Sequence, residues 1–136
     1  MRARLKLLIL SLVLYATNLP AYAELVVVAN SKSTAGSMNQ EQIAQVFLGA
    51  SNSMKPIDQA DGSPIRVEFY KKVADKEPSQ VKAIWSKLVF TGKGKPPKEF
   101  ASSADVKKAI EADPNAIGYI EKSAVDSSVK VLLAVP

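Results

Sequence analysis

The chain of 136 residues contains no cysteine and no histidine. Without cysteine, thiol nucleophiles, disulfide bonds and thiolate-bound metals are excluded, so the fold depends on packing alone. Without histidine, Ser-His-Asp chemistry, imidazole acid–base catalysis and zinc-dependent hydrolysis are excluded as well. Carboxylates and lysines remain, but no pair of them stands out by its spacing. We therefore predict that the protein is not an enzyme and has no catalytic residue, metal site or cofactor.

Only one long apolar run occurs in the sequence, and it lies near the N-terminus. Three basic residues precede the apolar stretch 7–16, and Ala21-Tyr22-Ala23 fits the small-x-small pattern of a cleavage site. We predict a signal peptide over residues 1–23, cleaved near Ala23, and a periplasmic or secreted protein. The stretch is too short for a spanning helix. An uncleaved anchor is the alternative, whereas no cysteine follows to accept a lipid.

The basic character of the chain comes partly from this leader. The whole sequence has 18 basic and 13 acidic residues, but three of the basic and none of the acidic residues precede residue 24, which leaves a net charge of +2. A charge this small removes the main support for nucleic-acid binding, and we predict none. Residues 24–136 suffice for one domain with one core and exclude a second full domain.

The apolar pattern predicts an α/β domain. The run 25–29 is continuously apolar, as in a strand covered on both faces, and Asn39 is predicted to cap a helix that Gly49 ends. The other predicted elements are a strand over 55–60, helices from Pro64, from Pro78 or Ser79 and from Ser102 or Ser103, and strands over 116–120 and 129–135. The order β, α, β, α, α, α, β, β indicates a small mixed sheet flanked by helices.

The polar turn 58–64 is the strongest functional candidate in this pattern. A strand ends there and a helix begins at Pro64, whose missing N–H costs nothing at the first helical position. A helix start presents unpaired N–H groups and partial positive charge, so the turn formed by Asp61, Gly62 and Ser63 could hold an oxyanion. The same residue types are favoured in turns and at N-caps for structural reasons alone. Both interpretations remain open.

Six groups of residues occur as an ordered set along the chain: Val27-Val28-Ala29-Asn30, Asn39-Gln40-Glu41-Gln42-Ile43, Val46-Phe47-Leu48-Gly49, Asp61-Gly62-Ser63 with Phe69, Trp85 with Phe90-Thr91-Gly92, and Ala116-Ile117-Gly118-Tyr119. Their order resembles that seen in phosphate-type periplasmic substrate-binding proteins of ABC transporters. The chain resembles this family over nearly all of residues 24–136, and most closely its short, single-lobe members. The resemblance implies a single periplasmic-binding-protein-like lobe that binds or senses phosphate or another small oxyanion.

The resemblance also implies a ligand set. In the family, Ser and Thr hydroxyls, helix N-terminal amides, an Arg and an Asp surround a tetrahedral oxyanion. The family's pattern Arg-Ala-Asp-Gly-Ser-Gly-Thr corresponds to residues 59–65 here, with Asp61, Gly62 and Ser63 kept. Gln59, Pro64 and Ile65 replace the Arg, the second Gly and the Thr. Because a neutral Gln cannot make a charge-assisted contact, we expect a loss of roughly 1 to 3 kcal/mol of binding energy.

Four further residues complete the predicted ligand set. Ser31, Ser33 and Thr34 lie in the loop after the first strand, which would form the wall opposite the helix start. Arg66, the only Arg after the leader, lies one helical turn from the site and would replace the lost charge. The structural alternatives are a solvated Ser-rich loop and a surface Arg.

The remaining conspicuous residues receive structural interpretations. Trp85 and Phe90 are predicted to pack in the core, and Tyr119 to be structural, with Gly118 permitting close packing beside it. The loop 91–98 carries three lysines near two glycines but lacks the Gly-Lys-Ser/Thr of a P-loop.

A rival function belongs to a different class. The chain could have kept the lobe fold, lost its ligand and become an interaction protein. It would then dock through the loop 91–98, or another exposed face, onto a membrane receptor, a transporter, a sensor or a like subunit. The oligomeric state stays open, as does whether a second chain completes the cleft.

Overall fold

A computed structural model of the protein describes residues 24–136. The predicted signal peptide and its cleavage site lie outside the described residues. The elements are β1 (Leu25–Asn30), α1 (Gln40–Phe47), β2 (Lys55–Gln59), α2 (Pro64–Ala74), α3 (Pro78–Phe90), β3 (Lys98–Phe100), α4 (Ser103–Ala112), β4 (Ala116–Glu121) and β5 (Val129–Val135). A short 3-10 turn, Lys122–Ala124, precedes β5. Among the helices of this part of the chain, none has the length and apolar character needed to span a bilayer.

The five strands form one mixed sheet in the order β3-β2-β4-β1-β5. Strand β2 runs parallel to both β3 and β4, whereas β1 runs antiparallel to β4 and β5. The carboxyl ends of β2, β3 and β4 therefore lie at one edge of the sheet, and the end of β1 lies at the opposite edge. This arrangement confirms the predicted α/β class with a small mixed sheet.

Helices cover both faces of the sheet. Leu25, Val27 and Ala29 of β1 pack into a core shared with α1, α2 and α3. Val26 and Val28 point to the other face, where they pack with residues of α4. Every residue of β1 is buried, as expected for a strand with a continuous apolar run that is covered on both sides.

Two helix starts confirm the predicted caps. The side chain of Asn39 accepts a 2.8 Å bond from the Gln42 amide, while the Gln42 side chain accepts a 2.9 Å bond from the Asn39 amide, which makes a capping box. Ser102 caps α4 by accepting a 3.2 Å bond from the amide of Asp105. Helix α2 begins at Pro64 as predicted, but the hydroxyl of Ser63 makes no capping bond.

Strand β3 was not expected from the sequence. It has only three residues, Lys98–Phe100, of which two are charged, so it shows no apolar periodicity. It exists because it pairs with Ile57, Asp58 and Gln59 of β2. The predicted order of elements therefore lacked one strand, which is the outermost strand of the sheet and pairs only with β2.

Candidate functional site

The turn Asp61–Ser63 follows β2 and leads directly into α2. Gly62 takes a left-handed conformation with φ of +80°, and the Ser63 amide donates a 3.0 Å bond to the carbonyl of Ala60. The carboxylate of Asp61 accepts a hydrogen bond from the ammonium of Lys82, which reaches it from α3. This bond lowers the pKa of Asp61 below its usual range. Both side chains remain largely exposed, so the pair lies at the surface.

The start of α2 offers hydrogen-bond donors that the helix itself does not use. Pro64 has no N–H, and the amides of Ile65 and Arg66 in the first turn have no acceptor within the helix. The hydroxyl of Ser63 is not used in capping. Together with the Lys82 ammonium, these groups can donate to an oxyanion, and the helix dipole favours negative charge at the same place.

Gln59 does not take part in this group of donors. Its side chain is buried, and its amide nitrogen donates at 3.1 Å to both the carbonyl of Tyr119 and the hydroxyl of Ser103. These bonds tie the end of β2 to β4 and to the start of α4. The residue that replaces the family's Arg is therefore a structural link in this protein.

A buried carboxylate lies beneath the turn. Asp58, which is only 2% exposed, accepts hydrogen bonds from the hydroxyls of Tyr119 and Tyr70 and from the amide of Gln59. Burial raises the pKa of Asp58, although both tyrosine bonds and the charge of Arg66 act in the opposite direction. Burial and the neighbouring Asp58 charge also raise the pKa of both tyrosines, so their hydroxyls stay protonated at neutral pH and can donate.

Arg66 belongs to this buried cluster. The alternative prediction, that Arg66 is a surface residue, is wrong. Its side chain is 8% exposed, with Nη1 donating to the Gln59 carbonyl at 3.0 Å and to Oε1 of Glu99 at 2.5 Å. Nε lies 3.9 Å from Oδ1 of Asp58 and has no hydrogen-bond partner within the described chain. Burial by itself lowers the pKa of Arg66, but Glu99 and Asp58 outweigh it and the net direction is upward. Its charge is thus already met by two carboxylates.

The loop 31–38 lies away from the Asp61 turn. Ala29 is level with Ile117, and Ile117 is level with Pro56 near the beginning of β2. The loop that follows β1 therefore starts at the edge where β2 begins, and the length of β2, about 13 Å, separates it from the edge where β2 ends. Ser33 and Thr34 line a different cleft, of about 460 Å³, together with Ser53 and Asn115. The structure does not bring Ser31, Ser33 and Thr34 together with Asp61, Gly62, Ser63 and Arg66.

A larger apolar cleft, which we call the α3 cleft, opens beside the turn. It has a volume of about 490 Å³ and lies between α3 and the segment 96–99. The lining residues are Asp58, Arg66, Val81, Lys82, Trp85, Ser86, Val89, Phe90, Pro96, Pro97 and Glu99. Lys82 belongs both to this cleft and to the Asp61 pair, so the cleft and the turn adjoin each other.

The two aromatic residues of α3 differ in their placement. Trp85 packs partly against the core and its indole N–H donates a 2.9 Å bond to the carbonyl of Phe47, which agrees with the predicted packing role. Phe90, in contrast, is 91% exposed, so its prediction as a core residue is wrong. It is the last residue of α3, next to the exposed Val89.

Several residues of the site were missed by sequence reasoning. The buried cluster depends on Asp58, Tyr70 and Glu99, and the turn depends on Lys82. Asp58 lies inside the candidate turn 58–64, and its position within the predicted strand 55–60 was the usable signal for burial. No sequence signal pointed to Glu99 or Lys82, because their partners lie 33 and 21 residues away. Within residues 24–136 there is also no cluster of three or more His, Cys, Asp or Glu side chains that could hold a metal ion.

Three solved structures have a fold similar to that of this chain. One is a candidate phosphate ABC transporter substrate-binding protein with bound phosphate from Clostridium perfringens, with a TM-score of 0.66, 18% identity, and coverage of 80% of this chain and 44% of that one. An ABC-type phosphate transport receptor from Vibrio cholerae gives a TM-score of 0.65 at 18% identity, over 80% of this chain and 45% of that one. PstS from Borrelia burgdorferi gives a TM-score of 0.61 at 12% identity, with coverage of 80% of this chain and 46% of that one.

These similarities confirm the resemblance at the level of the fold. The chain spans less than half the length of each solved structure that it matches. The common part is an α/β lobe with a mixed sheet. No protein-family model matches the sequence, and no curated protein matches it either.

Proposed function

We propose that this protein is an exported, non-enzymatic solute-binding protein that binds phosphate or a related small oxyanion at the start of α2. The observation that carries the proposal is the uncommitted hydroxyl of Ser63 at the N-cap of an 11-residue helix. An N-cap Ser normally satisfies a helix N–H, whereas here both the hydroxyl and the first amides are available. The likeness in fold to phosphate-transport proteins supports the same ligand class.

The proposed ligand contacts differ from those of the family pattern. Gly62, with its positive φ, lets the backbone approach the ligand closely, Ser63 donates its hydroxyl, and Asp61 accepts from a protonated ligand oxygen. Lys82 takes the cationic role, because it already reaches Asp61. Arg66 acts as a positioning residue, since it joins the end of β2 to Glu99 beneath the turn.

Calorimetric titration of the processed protein with phosphate and with sulfate tests this function. Ser63→Ala and Lys82→Ala should each weaken binding about tenfold, because each removes a donor to a charged group. Lys108→Ala, on α4 across the sheet, is the matched control and should leave the affinity unchanged. Ser33→Ala should also leave it unchanged, since Ser33 lies near the other edge of the sheet. If neither phosphate nor sulfate produces heat of binding, the proposal is overturned.

A second candidate function is that of an interaction protein, and the exposure of Phe90 favours it. A Phe that is 91% exposed beside the half-exposed Val89 is an unusual surface feature in a small domain. The partner would be a membrane transporter component or a sensor. Recovery of one membrane protein by the wild-type chain, but not by Phe90→Ala, would support this function. Equal recovery by both chains would contradict it.

A further inference from the structure

We propose that the α3 cleft is a docking site for an acidic protein segment that inserts one apolar side chain. The inference rests on the second candidate function and adds to it the surface and the chemistry of the partner. It is independent of oxyanion binding at Ser63. Three features carry it: an apolar wall, a fixed Trp and an excess of unpaired lysines.

The wall of the cleft is largely apolar. Val81, Trp85, Val89 and Phe90 project from one helix, and Pro96 and Pro97 face them from the loop. Phe90 and Val89 are two of the three large hydrophobic side chains exposed within the described residues. Exposed apolar patches mark interaction sites, and Trp in a well-packed pocket is among the residues enriched in interface hot spots.

The cleft is also pre-formed. The indole of Trp85 is held by its bond to the Phe47 carbonyl, and Gly94 lies beside its ring, where an added Cβ would make van der Waals contact at 3.4 Å. Pro96 and Pro97 restrict the backbone on the other side. A partner that enters this cleft therefore has little ordering cost on this side of the interface.

The charges around the cleft favour an acidic partner. Lys87 lies on α3 beside Phe90, the loop that carries both prolines also carries Lys93 and Lys95, and Lys98 follows as the first residue of β3. None of these four lysines forms an ion pair within residues 24–136. Beyond the loop, a second cleft of about 700 Å³ is lined by Lys93, Lys95 and Lys98, whereas its fourth lysine, Lys55, pairs with Asp113 of the same cleft.

The carboxylates of the cleft do not offset this positive charge. Asp58 and Glu99 both lie against Arg66, and Asp61 is bound to Lys82. Complementary charge across an interface speeds association and excludes partners of the wrong sign. An acidic segment with a Leu, Ile or Phe anchor therefore matches both the walls of the cleft and the lysines beside it.

A concave site suits a protein segment better than a membrane surface. Trp85 lies inside the cleft and is partly buried, so a flat bilayer would touch Phe90 without reaching it. The position of Trp85 also provides the assay, because it is the only Trp of the chain. Because Trp85 also lines the second cleft, its fluorescence reports on occupancy of either cleft, and Phe90, which lines only the α3 cleft, distinguishes the two.

The test titrates the processed protein with synthetic twelve-residue peptides that contain Asp and Glu around a single Leu, Ile or Phe and have no Trp. At least one peptide should shift Trp85 emission to the blue, with binding that weakens as salt rises. Its affinity should fall about tenfold or more in Phe90→Ala and in the double variant Lys93→Glu with Lys95→Glu. The matched controls Val131→Ala and Lys108→Glu, which lie outside the cleft, should bind as the wild type does.

Three results would overturn the proposal. They are the absence of any emission shift, equal binding of peptides in which Ala replaces the anchor, and a shift produced by vesicles of anionic phospholipid but by none of the peptides. Phe90→Ala should keep the wild-type unfolding temperature, so that lost binding is not lost folding. If no peptide binds while a membrane protein is still recovered through Phe90, the interaction function stands and the acidic partner is wrong.

Discussion

The hydroxyl of Tyr70 donates a 2.5 Å hydrogen bond to Oδ2 of Asp58. The hydroxyl of Tyr119 donates to the other oxygen of the same carboxylate. One buried Asp therefore links the end of β2 to α2 and to β4. Since the Asp61 turn follows three residues later, this link fixes the scaffold on which the turn is held.

Tyr70→Phe should lower the free energy of unfolding by about 1 to 3 kcal/mol, because it leaves a buried carboxylate oxygen without that donor. Urea unfolding measures the change. Thr91→Val is the matched control, since it also removes a hydroxyl that donates a hydrogen bond, but on an exposed helix end. It should change stability by about 0.5 kcal/mol or less. Equal losses in both variants would contradict the role given to the Asp58 cluster.

Asp58→Asn should change the pH dependence of stability. Burial raises the pKa of Asp58, so the folded protein holds a proton that the unfolded chain has already lost. The stability contributed by this proton is fully present below 3.8, the ordinary pKa of an Asp side chain, and is lost as pH rises through the raised pKa of the folded state. Because Asn does not titrate, the free energy of unfolding of Asp58→Asn should not show this decrease as the pH rises.

Urea unfolding from pH 4.5 upward isolates this effect of Asp58. Asp61 and Asp126 have lowered pKa values, so their contributions are lost only as the pH falls below the usual range. Asp75→Asn is the control, because Asp75 is exposed and its left-handed conformation, with φ of 52°, accommodates Asn. A profile of Asp58→Asn that matches the wild type would refute the prediction.

Gly118→Ala should destabilise the protein by about 1 to 3 kcal/mol through overpacking. An added Cβ would lie 2.9 Å from Cγ1 of Val106 and 3.1 Å from atoms of both Ile110 and Ile57. Gly36→Ala is the matched control, because nothing lies within 4 Å of its Cβ position. Thermal unfolding should separate the two variants, and a Gly118 variant as stable as the Gly36 variant would show that α4 can move away from the sheet.

Ser63→Ala should leave stability within about 0.5 kcal/mol of the wild type, since its hydroxyl caps nothing. Ser102→Ala should cost about 1 kcal/mol, because Ser102 accepts from the amide of Asp105. Denaturant unfolding of the two variants compares two N-cap serines of one protein. A cost at Ser63 equal to that at Ser102 would mean that Ser63 serves α2 as a cap.

The fold was predictable where local signals were strong. The continuous apolar run 25–29 and the run 129–135 became β1 and β5, and Asn39 and Ser102 capped helices as expected. Strand β3 was not predicted, because its three residues include two charged ones and show no apolar alternation. Only pairing with β2 makes them a strand. Phe90 was misplaced because its core prediction rested on its aromatic side chain, whereas it is the last residue of α3 and faces solvent.

The candidate site was predictable only in part. The sequence indicated that Asp61, Gly62 and Ser63 lie in a turn before a helix that starts at Pro64, because these residues interact over a few positions. It could not show that β1 runs antiparallel to β4, which sends the loop 31–38 to the far edge of the sheet. Strand direction follows from pairings between distant residues, and no local pattern encodes it.

The sequence by itself determined the absence of thiol and imidazole chemistry, the α/β class and the turn at the start of α2, since these depend on residue types and short spacings. Only the tertiary structure decided that Arg66 is buried between Asp58 and Glu99, that Lys82 is the cation at Asp61, and that Phe90 faces solvent. Each of these depends on contacts between residues far apart in the chain, which form only when the whole lobe packs.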